Sequence, residues 1–150
     1  MGLPVGSPMP EFSLKDQEGN WFHSNDHVGK APLVIFFYPK DFTPGCTAEA
    51  CAFRDHYEDF TEAGALVVGI SSDSQDSHRS FSKRHRLPFI LLSDPDRKAR
   101  KQFRVENRFL NLLPGRETFV VDRNGVVVMA FEGMRASGHV QNALKAIKNL

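Results

Sequence analysis

The chain has 150 residues, 41% apolar and 25% charged, with a net charge of +1. That composition excludes a disordered, collagen-like or disulfide-framework protein and leaves one globular domain, residues 1–150, able to bury its own core. The longest apolar stretch, Leu33 to Tyr38, is far short of the roughly 20 residues of a membrane span, and the N-terminus lacks a secretory pattern, so no membrane association is expected. The near-zero net charge argues against nucleic acid as a partner. Charge is nonetheless uneven: residues 1–77 carry 4 Lys or Arg against 12 Asp or Glu, and residues 78–108 carry 10 against 3. The basic segment 78–108 reads as the solvated faces of two surface helices, with a docking patch for an acidic partner as the alternative.

In chain order, Pro4, Pro8 and Pro10 mark an extended arm, and Phe12–Leu14 and Trp21–His23 form a hairpin about the turn Asp16–Asn20. Leu33–Tyr38 is continuously apolar, as expected of a central strand covered on both faces. A loop from Pro39 to Gly45 leads into a helix whose stripe is Ala50, Phe53, Tyr57 and Phe60, with Gly64 placed to end it. Ala65–Ile70 reads as a strand, Ser72 or Asp73 as the cap of a helix through Phe81, and Phe89–Leu92 as a third strand. A short helix bearing Ala99 and Phe103 follows Ser93–Pro95. Thr118–Val121 and Val126–Met129 then make a hairpin, and a last helix, capped by Ser137, presents Val140, Ala143, Leu144 and Ile147. Strands alternating with helices indicate an α/β architecture.

The cysteines Cys46 and Cys51 both lie in the first turns after the Pro39–Gly45 loop. A thiol at a helix start faces unpaired backbone N–H groups and the positive end of the macrodipole, which favour thiolate, so Cys46 is a candidate nucleophile. Its bland alternative is a small buried helix residue. Five residues apart on an ideal helix, the two Cα atoms lie roughly 8.7 Å from each other, beyond the reach of about 7 Å for a disulfide. If the pair bonds, the helix start must unwind, which suits a switch better than a brace. Cys46, Cys51 and His56 share no helix face and lack a fourth ligand, so zinc is not expected. His23, His27, His78, His85 and His139 fall in turns or on polar faces and read as solvated. Chemistry, if present, is thiol chemistry.

The run Phe36-Phe37-Tyr38-Pro39-Lys40-Asp41-Phe42-Thr43-Pro44-Gly45-Cys46-Thr47-Ala48-Glu49-Ala50-Cys51 resembles the active site of the peroxiredoxins, with their Pro-x-x-x-Thr-x-x-Cys signature at Pro39, Thr43 and Cys46. A second Cys five positions on resembles the peroxiredoxin Q branch, also called bacterioferritin comigratory protein. The likeness continues at Pro10–Asp16, Gly69–Ser71, Leu91–Asp94 and Leu113–Phe119. The Gly-Gly-Leu-Gly and C-terminal Tyr-Phe elements of easily over-oxidised peroxiredoxins are absent, and the stretch between Arg104 and Leu112 shows no assignable motif.

The resemblance implies a thioredoxin-like fold, a central mixed sheet flanked by helices with an N-terminal hairpin extension. It implies a thiol peroxidase for hydrogen peroxide and organic hydroperoxides, with neither metal nor organic cofactor. Cys46 would be the peroxidatic cysteine, passing to sulfenic acid, and Cys51 the resolving cysteine that forms a Cys46–Cys51 disulfide, recycled by thioredoxin or a glutaredoxin-like donor. Thr43 would bond thiolate and peroxide, Pro39 would shield the sulfur, and Arg116 would stabilise thiolate and developing charge. Glu49 would help position Arg116. A monomer in the cytoplasm is expected, or in a plastid if a transit peptide has been removed. The competing readings are a protein thiol–disulfide oxidoreductase, whose motif would be Cys-x-x-Cys, and a non-enzymatic binding or holdase module.

Overall fold

The computed structural model describes residues 2–105, 107–108 and 113–150. Strands β1 (Ser13–Asp16) and β2 (Trp21–His23) form the expected hairpin. They are followed by β3 (Leu33–Phe37), helices α1 (Pro44–Asp55) and α2 (Tyr57–Glu62), β4 (Leu66–Ser71), α3 (Gln75–His85), β5 (Ile90–Ser93) and α4 (Lys98–Gln102). A small pair, β6 (Asn107–Arg108) and β7 (Leu113–Pro114), precedes β8 (Glu117–Val121), β9 (Val127–Glu132) and α5 (Ala136–Lys148). Among these described residues no helix is long and apolar enough to cross a membrane.

Seven strands form one mixed sheet in the order β2-β1-β5-β4-β3-β8-β9. β3, all of whose residues are buried, pairs parallel with β4 and antiparallel with β8, which is why its sequence is continuously apolar rather than alternating. The N-terminal hairpin joins the sheet itself, because β1 pairs with β5. Alternate β3 residues feed two cores. Val34, Phe36 and Tyr38 pack with Phe53, Phe60, Phe81 and Val140 from α1, α2, α3 and α5. Leu33, Ile35 and Phe37 pack with Phe103, Phe119 and the arm residues Leu3, Met9 and Phe12.

Some boundaries differ from expectation. The helix expected to run on to Gly64 breaks at His56 (φ −106°, ψ 9°) into α1 and α2, and Gly64 (φ +79°) follows the second piece. α3 is capped by Ser74, whose hydroxyl accepts from the Ser77 amide at 3.1 Å, not by Ser72 or Asp73. The Asp73 carboxylate is occupied by the Asp41 amide and the Ser71 hydroxyl. Ser137 lies inside the first turn of α5, whose cap position is Arg135 with no side-chain bond. Of the motif-free stretch from Arg104 to Leu112, Glu106, Phe109, Leu110, Asn111 and Leu112 lie outside the described residues.

Candidate active site

The parallel strand β3 ends at Phe37, and the loop beyond it delivers the start of α1 to the carboxyl edge of the sheet, where α/β folds place their sites. Thr43 sits at the N-cap position and Pro44 at the first helical position, where its fixed φ is compatible and its missing N–H costs nothing. The first bond of the helix is Thr47 N–H to the Thr43 carbonyl at 2.8 Å, so the amides of Gly45 and Cys46 have no partner within the helix. Cys46 is 1% exposed. Cys51 is half-buried further along the same regular helix, and both are free thiols.

Arg116 stands just before β8 and crosses to α1. Its Nη2 donates to Cys46 Sγ at 3.4 Å, and its Nη1 donates to Glu49 Oε1 at 2.9 Å and to the Gly45 carbonyl at 3.4 Å. Gly45 makes this approach possible: a Cβ there would sit 2.9 Å from Nη2. Burial works against the Arg116 cation, but Glu49 and Cys46 together outweigh it and hold its pKa above the ordinary value. Among the described residues the buried Nε–H of Arg116 has no hydrogen-bond partner.

Glu49 is fully buried, and burial pushes its carboxyl up to about 7 against the pull of Arg116. Its Oε2 makes no hydrogen bond among the described residues and lies 3.3 Å from His139 Nδ1. His139, on α5, bonds the Gly133 carbonyl through Nε2 at 2.7 Å and pairs Nδ1 with the Thr118 hydroxyl at 2.7 Å. Burial drives the His139 pKa down to about 4, so the ring is neutral at neutral pH, with its proton on Nε2 and the Thr118 hydroxyl donating to Nδ1. Glu49 therefore presents its free oxygen to an unprotonated nitrogen, a contact that favours the neutral carboxyl.

A second buried polar cluster lies under the Pro39–Gly45 loop. Asp41 accepts from the Tyr38 hydroxyl at 2.6 Å and the Ser77 hydroxyl at 2.8 Å, and faces His78 Nδ1 at 2.7 Å. Its amide donates to Asp73 at 2.8 Å, and His78 Nε2 meets the Leu92 carbonyl at 3.0 Å. Burial, then the Asp41 charge, raises the Tyr38 phenol well above its usual range. Ligand atoms of Asp41, Asp73 and His78 lie within 4.8 Å of one another, the spacing of a cation site among the described residues. Both Asp41 oxygens, Asp73 Oδ2 and both His78 ring nitrogens are already engaged in hydrogen bonds. The cluster fixes Asp41, and the next residue, Phe42, turns through a left-handed conformation (φ +65°) on the way to Cys46, which meets Arg116.

Of the residues singled out in the sequence, Cys46, Glu49 and Arg116 meet directly. Pro39, half-buried, and Thr43 occupy the loop before Cys46. The Thr43 hydroxyl donates to the Lys40 carbonyl at 2.8 Å and does not cap the helix, although Thr43 holds the N-cap position. His78 and His139, read as solvated, are fully buried, and Arg100, read as part of a solvated basic face, is 5% exposed. A periodicity signal existed for all three: His78 stands three residues before Phe81, His139 four before Ala143 and Arg100 three before Phe103, each on a helix face that is buried.

A model of the AhpC/TSA family matches residues 5–130. The protein named Peroxiredoxin Q, chloroplastic, from Sedum lineare is 50% identical over 146 residues, 97% of this chain and 78% of that one. Its namesake from Triticum aestivum is 48% identical over 146 residues, covering 97% and 67%. The crystal structure of Peroxidoxin BcpB from Mycobacterium tuberculosis superposes with a TM-score of 0.91 at 34% identity, over 99% of this chain and 98% of that one. Xanthomonas campestris Peroxiredoxin Q gives 0.84 at 36% identity, over 92% and 90%. The expected thioredoxin-like architecture is borne out by these likenesses.

Proposed function

Since this chain belongs to the AhpC/TSA family, in its peroxiredoxin Q group, and is a thiol-dependent peroxidase, we propose that Cys46 is the nucleophile that peroxide oxidises and Cys51 the thiol that resolves it. The observation that carries this reading is the Arg116 guanidinium, which touches Cys46 Sγ and Glu49 together and keeps one buried N–H unpartnered beside them. A thiolate is the reactive form of cysteine, and a fixed cation within hydrogen-bond reach favours it.

The first step is attack of the Cys46 thiolate on one peroxide oxygen. The S–O bond forms as the O–O bond breaks, leaving Cys46 sulfenic acid, and the departing alkoxide or hydroxide takes up a proton to become alcohol or water. Arg116, already aimed at Sγ, stabilises the charge that builds on the oxygens, and its free Nε–H offers a donor. The Thr43 hydroxyl spends its proton on the Lys40 carbonyl, so its lone pairs accept from the hydroperoxide O–H and turn the peroxide's reacting oxygen toward sulfur. Pro39 closes the mouth against water.

In the second step the Cys51 thiolate attacks the sulfenic sulfur, which loses hydroxide as water, and a disulfide forms. A dithiol protein of the thioredoxin or glutaredoxin type then reduces it by exchange. The regular helix α1 holds the two cysteines beyond bonding reach, so its first turns melt on oxidation. Hydrogen peroxide and organic hydroperoxides are the proposed substrates. The chloroplastic names of the plant relatives support a plastid setting as the alternative to the cytoplasm.

The test couples peroxide, thioredoxin, its reductase and NADPH to the wild type, Cys46→Ser and Cys51→Ser, without small thiols. Turnover should vanish in the first variant, while the second should consume about one equivalent of peroxide and stop. Equal multiple turnover in both variants would overturn the assignment. Insulin reduction without peroxide consumption would favour a protein oxidoreductase instead.

A further inference from the structure

Arg100 and Arg116 are the arginines buried among the described residues, at 5% and 4% exposure. Arg100 belongs to α4, whose start is fixed by Asp94: its carboxylate accepts from the Ala99 and Arg100 amides at 3.1 and 3.0 Å. Its neighbours Arg97, Lys98 and Lys101 lie in solvent, but the Arg100 side chain runs inward to lie 5.8 Å from the Phe37 ring centroid. There Nη1 donates to the Gly115 carbonyl at 2.9 Å and Nη2 to the Tyr38 carbonyl at 3.2 Å.

Those two carbonyls have a particular place in the chain. The last register pair between β3 and β8 is Phe37 with Glu117. Beyond it the strands part, one continuing through Tyr38 into the Pro39–Cys46 loop, the other arriving from Gly115 and Arg116. Arg100 bridges them where the ladder stops, and its two contacts are the residue before Pro39 and the residue before Arg116. The Cys46 loop and Arg116, which meet at Cys46 Sγ, are thus tied to one planar fork with fixed spacing between its donors. Burial lowers the Arg100 pKa to about 10, leaving it charged at neutral pH, and Cys46 is among the groups close enough to favour that charge.

We propose that Arg100 is a positioning residue for the peroxide reaction, a clasp that sets Arg116 against Cys46 and adds a second fixed positive charge to the field around the sulfur. This inference rests on the reading of Cys46 as the peroxidatic thiol. It assigns Arg100 no contact with peroxide: its geometric effect passes through the Tyr38 and Gly115 carbonyls.

The experiment compares wild type, Arg100→Lys and Arg100→Gln in two single-turnover reactions of reduced protein at one pH, oxidation by hydrogen peroxide and alkylation by iodoacetamide at Cys46 in a Cys51→Ser background. Alkylation reads thiolate availability alone, whereas peroxide oxidation also reads the alignment of Arg116. Lysine keeps the charge but loses the fork, so its peroxide rate should fall about tenfold or more while alkylation stays within about twofold of wild type. Glutamine loses the charge as well, and both rates should fall. Each variant retains a donor for one carbonyl, and circular dichroism at the assay temperature verifies the fold. Rates in both folded variants within about twofold of wild type, or parallel losses in the lysine variant, would overturn the clasp. Peroxide-insensitive Cys46 in the wild type would instead sink the underlying peroxidase assignment, and that arm is measured first.

Discussion

Two buried clusters, each built around a histidine and a carboxyl, flank the Cys46 loop, and they differ in how completely they close. In the Asp41–His78 cluster both carboxyl oxygens and both ring nitrogens have partners. In the Glu49–His139–Arg116 cluster Glu49 Oε2 and Arg116 Nε have none among the described residues. A satisfied buried network rigidifies what it touches, whereas leaving polar atoms unmatched costs stability and is retained where those atoms have other work. The first cluster is scaffold for the loop, and the second is the proposed chemistry.

That contrast predicts which damage appears as lost stability and which as lost rate. Asp41→Ala removes an acceptor from Tyr38, Ser77 and His78 at once and should destabilise the fold by about 3–5 kcal/mol, measured by urea unfolding. Any fraction still folded should react with peroxide at a rate closer to wild type than Arg116→Met does. A near-neutral unfolding result would show that this cluster is not the scaffold.

Arg116→Met should reverse the pattern. Peroxide oxidation of Cys46 should slow by roughly 10²- to 10³-fold, as for loss of a donor to a developing oxyanion. Stability should change much less, because the orphaned Glu49, already at about 7, takes up a proton instead of standing as an unpaired buried charge. Stopped-flow oxidation alongside urea unfolding checks both halves, and a slow variant that is equally unstable would erase the distinction between the clusters.

Glu49→Gln addresses the open cluster by pH. A folded pKa raised from 4.5 to about 7 means that the carboxyl's relative contribution to stability is fullest below about pH 4.5 and is lost as pH rises through about 7. The stability of wild type minus that of Glu49→Gln should therefore fall over that window, by an amount on the order of 2–3 kcal/mol. His139, lowered to about 4, has the opposite slope: its contribution is present above about pH 6.5 and lost as pH falls through about 4. Its share cancels in the difference as long as glutamine leaves the ring neutral. A flat difference would mean that Glu49 is ionised throughout.

Much of this arrangement was legible in the sequence, and the failures have a common cause. β3 announced itself because burial on both faces leaves a continuous apolar run, and the N-terminal hairpin because its turn residues are specific. Cys46 stood out because its setting at a helix start has a chemical consequence. His78, His139 and Arg100 are less legible, because their polarity points to solvent although each sits in step with buried apolar residues on its helix. Periodicity reports which face a residue occupies. It does not report whether carbonyls or carboxylates wait there, since those come from Leu92, Gly133, Gly115 and Tyr38, outside the helices concerned. Arg116 likewise needed the family resemblance, because nothing local distinguishes it from other arginines.

The smallest change bears on that same arginine from the opposite side. Gly45 occupies the second position of α1 and has no special backbone conformation, so helix geometry alone would accept alanine there and gain roughly 0.5–1 kcal/mol of intrinsic propensity. What opposes alanine is the Arg116 Nη2 atom, 2.9 Å from where the new methyl would stand. The guanidinium is the far end of a flexible side chain and can yield by a few tenths of an ångström, but the atom that must yield is the one bonded to Cys46 Sγ. Gly45→Ala should thus leave the melting temperature unchanged or slightly raised while slowing peroxide oxidation of Cys46 by about two- to tenfold, a loss of about 0.4–1.4 kcal/mol in transition-state stabilisation. Alkylation at the same pH separates the cause: a fall limited to the peroxide rate places the loss in alignment, and an equal fall in both places it in the thiolate. If the variant is as fast as wild type, the Nη2–Sγ contact does not limit the reaction, and the stabilising role passes to the unpartnered Nε–H of the same side chain.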